Sequence, residues 1–340
     1  LYEITPERAT KSSRLTEMGG QVQMSNVASR TTALRNGAKG VSIDGLSFNI
    51  NGKQLSATQL ASLQQANMRG GSAGEDEGLF GSRLGGFVTG TIATGDKEGT
   101  QLDSGLDFST SGVTAGLDYR FTERFVLGGA IGYMSTDSDL DNKGGNLDVT
   151  GYTLTAYGTY YVADSYYIDF SAAYGTNDFD QKRNLVYELQ DQGNTDQQAR
   201  ASYDGDMFTL SVGSGYDFNS GSWTFGPRAN LDYIKTDIDG FTEKMSDPLS
   251  NGGGWATSME DTDQTWLTLK LGGKASYAYS TTWGVLTPYA GADWLHEFKN
   301  DSQLIQGDFS EDPGSLNFQI MTEDPDRNYF RVNLGVAAVL

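Results

Sequence analysis

Cysteine is absent from this 340-residue chain, and histidine occurs once. The first absence excludes disulfides and thiolate metal sites. It suits a reducing compartment, and equally a chain that must stay unfolded while crossing an oxidising one. The second leaves serine nucleophiles without their usual base. No run of 18 apolar residues occurs, so no transmembrane helix is expected. No charged region followed by an apolar core opens the chain, so no signal peptide is visible after Leu1. Basic residues are scarce, with 24 Lys and Arg against 44 Asp and Glu and a net charge of −20. That balance argues against nucleic acid as a partner, because phosphate binding needs clustered cations.

What is abundant is glycine (44), tyrosine (18) and phenylalanine (16), with only 6 prolines. This mixture suits many strands and turns. In "GVTAGLDYRFTERFVLGGAIGY", residues 112–133, Val113, Ala115, Leu117, Tyr119 and Phe121 alternate with Thr114, Gly116, Asp118 and Arg120. Alternation of this kind is a strand signal, not a helical one. From Gly85 onward it persists through ten candidate strands, near 86–95, 107–121, 125–137, 147–162, 166–177, 203–218, 223–237, 264–279, 284–298 and 328–340. Most reach the roughly 9–11 residues a tilted strand needs to cross a bilayer, against about 5–6 in ordinary globular strands. Short connections at 122–124, 163–165, 219–222 and 280–283 alternate with long ones at 96–106, 138–146, 178–202, 238–263 and 299–327. One-sided long loops are what an outer-membrane barrel has, its short turns lying in the periplasm.

The two faces differ. One carries Tyr152, Leu154, Ala156, Gly158 and Tyr160, then Ile168, Phe170 and Tyr174, then Phe208, Leu210, Val212 and Tyr216, with aromatics toward the strand ends. That is the profile of a lipid-facing wall with interfacial girdles. The other carries Asp118, Arg120, Asp169, Asp217, Arg228, Asn230, Asp232, Lys270, Lys274, Asp293, Glu297 and Arg331, which suit a hydrated lumen. A soluble β-sandwich also alternates, with its apolar face inward. Long strands, end-clustered aromatics and one-sided loops together favour the barrel. The mean hydropathy of −0.45 does not separate the two, because a barrel hides only alternate residues.

Three regions follow. Residues 1–37 read as a helix, started by Thr5-Pro6-Glu7 and stopped by Arg35-Asn36-Gly37, with Gly19-Gly20 weakening or kinking its middle. Its apolar stripe (Leu15, Met18, Val22, Val27, Leu34) is thin, so it needs a polar, enclosing partner. Residues 38–84 read as linker and loop, with a short helical pattern near 56–68. Residues 85–340 form the barrel.

The segments "GVTAGLDYRF", "GYTLTAYGTYYVAD", "YYIDFSAAYGTNDFD", "ASYDGDMFTLSVGSGYDF", "FGPRANLDYIKTDIDGFTE", "LGGKASYAYSTTWGVLTPYAGADWLHEF" and "DPDRNYFRVNLGVAAVL" resemble, in this order, the translocator domain of classical monomeric autotransporters (type Va secretion). The resemblance covers roughly residues 80–340. It implies a twelve-stranded, up-and-down antiparallel barrel in the Gram-negative outer membrane. A helical segment threads its lumen and links it to an N-terminal passenger at the cell surface. It implies folding by the barrel assembly machinery, contact with outer-membrane lipid and lipopolysaccharide, a monomeric barrel and no cofactor. With ten strands counted, the barrel is read as lacking its last hairpin or as closed with ten strands. Arg8, Lys11, Arg14 and Arg30 of the helix are expected to pair with lumen acids such as Asp118, Asp169, Asp217 and Asp232.

No enzyme chemistry is expected. His296 lies near Asp293, and surface proteases built on ten-stranded barrels use such a pair, but parity puts the two on opposite faces. "GSAGEDEG" (71–78) and the acidic stretch 137–141 lack EF-hand spacing, so calcium is not expected. Some autotransporters cut their own passenger at an activated asparagine. Asn26 and Asn36 are the candidates, although Asn36-Gly37 also reads as a helix C-cap. The other functions weighed are a porin-like channel and an adhesin acting through acidic loops.

Overall fold

The computed structural model describes residues 9–35, 41–50, 53–56, 83–99, 104–141, 144–189, 193–281, 284–302, 304–311, 314, 317–322 and 326–339. Arg8, Asn36, residues 71–78 and nearly all of the helical pattern at 56–68 lie outside them. One helix, α1 (Ala9–Arg35), precedes the strands and runs unbroken through Gly19-Gly20. Ten long strands follow: β3 (Leu84–Lys97), β4 (Leu106–Thr122), β5 (Phe125–Leu140), β6 (Gly145–Tyr161), β7 (Tyr166–Leu189), β8 (Gly193–Tyr216), β9 (Trp223–Ile238), β10 (Thr262–Tyr277), β11 (Gly284–Lys299) and β12 (Asn328–Val339). Each pairs antiparallel with its sequence neighbour, except that β12 and β3 do not meet.

Two strands expected as linker fill the gap: β1 (Val41–Ile50) and β2 (Lys53–Ser56). They pair with each other, β1 runs parallel to β3, and β2 meets β12 at Asn333↔Gln54, also in parallel. The ring therefore closes with twelve strands, and its antiparallel pattern is broken at those two junctions. Closure has a direct physical cause: an unpaired strand edge in hydrocarbon leaves a row of backbone groups with no partner.

The faces sort by chemistry. Outward residues in the middle of the wall are apolar and exposed, with Leu154 at 67% and Ile131 at 65%. Inward residues are polar and buried, with Thr114 at 1% and Thr159 at 0%. A soluble fold shows the reverse. Aromatic pairs eight residues apart mark the band on five strands: Phe125 and Tyr133, Tyr152 and Tyr160, Tyr166 and Tyr174, Phe208 and Tyr216, Phe225 and Tyr233. Eight residues span about 27 Å of strand, or roughly 20 Å along the normal at the usual tilt, close to the apolar height of such barrels. Rings pack against one another around both edges, as in Phe121–Phe125 (5.9 Å) and Phe218–Phe225 (5.9 Å) at the short-turn end and Tyr133–Tyr152 (5.3 Å) at the other.

The long connections are more ordered than loops. β7 and β8 continue through most of 178–202 as one tall hairpin. Phe241–Thr242, Thr257–Met259, Leu304–Phe309 and Asn317–Met321 make a second, four-stranded sheet. A buried pair joins hairpin to sheet: Arg183 meets Glu243, which also accepts from Gln181 (3.1 Å) and the Thr257 amide (3.1 Å). The stretch 137–141 ends β5, and among the described residues no group of three or more His, Asp or Glu side chains is arranged to hold a metal.

Replacing outward Leu154 by arginine puts a charge in the middle of the apolar band and is expected to cost about 2–4 kcal/mol, read as the shift in denaturant midpoint in lipid vesicles. The folded chain should also migrate faster on a denaturing gel before heating than after. A sandwich extracted without detergent, insensitive to the substitution, would contradict the barrel.

Candidate functional site

The lumen is occupied by α1. Its N-terminal end meets the long-connection side, where Lys11 Nζ donates to the Ser104 carbonyl (2.6 Å) and Ser12 Oγ and Tyr203 OH are 2.6 Å apart. Its C-terminal end reaches the short-turn side, where Arg35 pairs with Asp169 three residues into β7 and lies 3.9 Å from the centre of the Tyr167 ring. At the first end the thin apolar stripe explains the seating. Leu15 is packed among Leu106, Met134, Leu147, Val149, Phe179, Tyr203 and Ile238, a short apolar collar in an otherwise polar channel.

Below the collar the wall is threonine-rich and the contacts turn polar. Asn26 Nδ2 donates to Thr114 Oγ1 (2.9 Å), and Thr91 Oγ1 donates to Asn26 Oδ1 (2.5 Å). Gln23 Nε2 donates to the Tyr133 carbonyl (3.1 Å). Glycines give the helix room: a Cβ at Gly112 would lie 2.9 Å from Val22 Cγ1, and one at Gly132 would run into Gln23. The reverse holds at Gly19-Gly20, where Met134 and Met207 press in; a Cβ at Gly20 would lie 2.6 Å from Met207 Sδ.

The strongest contact is Arg30 with Asp118. Arg30 Nε and Nη2 donate to Asp118 Oδ2 (2.6 Å) and Oδ1 (2.9 Å), a bidentate pair with side chains 0% and 3% exposed. Tyr157 OH donates to the same carboxylate (2.8 Å), and the guanidinium carbon lies 5.7 Å from the Phe87 ring centre. Two buried charges are tolerable only with this degree of mutual satisfaction.

The remaining lumen residues mostly pair with one another. Lys270 reaches Asp232 (2.6 Å), Asn230 donates to Asp232, and Arg228 holds Asp293 through two bonds (2.8 and 2.6 Å). Lys274 lies 4.4 Å from the Tyr289 ring centre, and Glu297 accepts from Tyr329 OH (2.8 Å). Arg331 donates to Gln21 of the helix (3.2 Å). Arg120 and Asp217 sit partly exposed near the short-turn end.

The expected helix pairing therefore needs correction. Among the described residues the Arg30–Asp118 pair forms as expected. Arg14 meets Glu17 one turn along its own helix (3.3 Å), and Asp232 is taken by Lys270 on the wall. Asp169 pairs with Arg35, a residue read as part of the helix stop. His296 lies on the outer face between Trp294 and Phe298, bonded to Asn328 (2.9 Å), while Asp293 faces inward. Tyr157, Thr91, Thr114, Met134 and Met207 escaped the sequence reading, because threonine, methionine and tyrosine on an inward parity carry no charge signal.

The profile described as Autotransporter beta-domain matches residues 86–340. Outer membrane protein B of Rickettsia rickettsii is 29% identical over 144 residues, which is 41% of this chain and 9% of that protein. Esterase EstA of Pseudomonas aeruginosa is 23% identical over 261 residues, 75% of this chain and 38% of its own length. This chain thus spans between 9% and 38% of the length of these relatives. The translocator domain of autotransporter NalP from Neisseria meningitidis superposes with a TM-score of 0.50 at 16% identity, covering 84% of this chain and 94% of that one; the likeness is one of fold.

Removing the Arg30 side chain leaves Asp118 buried without its cation. Arg30→Ala is expected to cost about 3–5 kcal/mol and to expose the helix to protease, whereas Arg30→Met with Asp118→Leu recovers most of that loss. Denaturant midpoints and limited proteolysis of both variants check this.

Proposed function

The chain belongs to the autotransporter β-domain family, and from that premise we propose that residues 9–35 are the segment retained in the lumen once the polypeptide before them has crossed the membrane. The protein is an outer-membrane translocator. The observation that supports the retained-segment reading is a largely polar helix enclosed by a barrel, its N-terminal end at the ordered loops and its C-terminal end at the short turns. Such a helix has too thin an apolar stripe to be a core element of its own.

The work is geometric. The ring supplies a wall whose backbone needs nothing from the lipid. Its threonine and asparagine lining offers weak hydrogen bonds to any polar chain, so a passing segment is not expelled. Asp118, Arg120, Asp169, Asp217, Arg228, Asn230, Asp232, Lys270, Lys274, Asp293, Glu297 and Arg331 line that path in this reading. The covalently attached N-terminal passenger is the cargo. Outer-membrane lipid with lipopolysaccharide and the barrel assembly machinery are the other partners, and the barrel acts as a monomer.

In this reading the chain is not an enzyme. The esterase name of one relative belongs to a protein of which this chain matches 38%. His296 faces outward and pairs with an amide, so it is not poised as a base. Asn26 has both amide atoms held by threonine hydroxyls, which favours a structural role over backbone cleavage. A porin-like channel is disfavoured by the helix that occupies the lumen.

A folded reporter fused before residue 1 is expected to become accessible to protease added to intact cells. Reporter that stays protected until the outer membrane is permeabilised would contradict export. Mass spectrometry of the same barrel should find the junction through Asn26 and Asn36 intact; a new N-terminus at residue 27 or 37 would show that cleavage occurs.

A further inference from the structure

We propose that the lumen carries two guanidinium-binding sites, Asp118 with Tyr157 and Phe87, and Asp169 with Tyr167, which set the register at which the threaded segment stops, with Gly19-Gly20 as the steric part of the same key. The inference rests on reading residues 9–35 as the retained segment and concerns what selects that segment over its neighbours. The ligand class is a guanidinium group carried by the threaded chain.

Most of the helix–wall contact has little power to choose a register. The helix offers Ser, Thr, Gln and Asn to a wall of threonines, and a slide by one turn exchanges one set of weak bonds for another. Hydroxyls of Ser13, Thr16, Thr153, Thr209 and Thr236 are buried without a protein hydrogen-bond partner and so do nothing to choose the register. Besides the apolar collar at Leu15, two features discriminate. Asp118 is 4% exposed and takes two bonds from Arg30 and one from Tyr157, so any register without a cation there buries a carboxylate with its main partner gone. Met134 and Met207 fill the space that side chains at positions 19 and 20 would occupy.

Among the described residues of the helix, no other cation can take the place of Arg30. At about 100° per residue, Arg35 points roughly 140° away from the direction of Arg30, Arg14 about 160° and Lys11 about 100°. Bringing any of them to Asp118 turns the helix by that angle and carries Gly19-Gly20 away from the two methionines. The two parts of the key lie about 15 Å apart along the axis, so they act as separate checks on one position. Arg35 supplies a second check at the short-turn end, held by Asp169 and stacked on Tyr167.

The absence of native cysteine makes register directly measurable in the full chain. Asn26→Cys with Thr114→Cys, whose side chains touch, bridges in the native register; Val22→Cys with Thr114→Cys bridges after a slide of one turn. With Asp118 and Asp169 intact, the native pair should dominate. With Asp118→Asn and Asp169→Asn, the ratio of native to slipped bridge should fall by at least about tenfold. In Arg30→Ala, non-denaturing guanidinium chloride should restore the native bridge, while sodium chloride at equal ionic strength should not; adding Asp118→Asn should abolish the rescue. Heat-dependent gel mobility verifies that each barrel has folded. A native ratio unchanged by the double carboxamide substitution, or equal response to guanidinium and sodium, overturns the proposal. Socket-dependent register in a chain that fails to display its reporter would sink the export reading and leave the sites standing.

Discussion

A peptide N–H or C=O left without a partner in hydrocarbon costs several kcal/mol, and every residue of a spanning strand except proline carries both. The ring of strands answers that cost, and the rest of the molecule is arranged around the answer. Ten antiparallel strands leave two free edges, and the β1–β2 hairpin occupies the gap between them even though it must run parallel to β3 and β12 to do so. Once the ring is closed, strand geometry sends alternate side chains to opposite media. Leu154 and Ile131 face outward into the apolar band, while Thr114 and Thr159 are enclosed.

The interior then has the opposite problem from an ordinary core. It is lined by polar groups that need partners, which the wall supplies in part, as in Lys270–Asp232 and Arg228–Asp293, and a polar helix in part, as in Arg30–Asp118. Arg30 between Asp118, Tyr157 and Phe87 would be costly in a soluble protein's core; here the alternative is a carboxylate facing an empty or hydrated channel. The apolar collar around Leu15 closes the long-connection end of the same passage. Helix and wall thus complement each other along their length, apolar at one end, hydroxyl-rich in the middle and ionic toward the other.

Much of this was legible from the residues. Period-two alternation located all ten long strands, since a one-residue slip would exchange Leu117 for Asp118 across the wall. The same parity put Asp118, Asp232, Asp293 and Glu297 inside. Other features were hidden for identifiable reasons. Arg35 sits beside Asn36-Gly37, and a basic residue in the last helical turn reads as a stop signal. The strand β1, "VSIDGLSFNI", changes phase at Gly45-Leu46, where its pairing with β3 also shifts register, so its alternation looked broken. The extended hairpin 178–202 and the sheet built from 238–263 and 299–327 are polar, with their apolar residues scattered; Arg183–Glu243 joins segments 60 residues apart. Pairing between distant loops has no local periodicity to betray it.

The central claim is that one parity of each strand meets lipid and the other a lumen occupied by α1. Single cysteines placed in turn along residues 150–161, carrying a spin label, test it most directly in reconstituted vesicles. Accessibility to oxygen, which partitions into lipid, should peak at Tyr152, Leu154, Ala156 and Tyr160 and fall at Thr153, Thr155 and Tyr157, and a label at Ser25 should be immobile. Equal access of a water-soluble relaxant to both parities, or a freely tumbling label at Ser25, would contradict it.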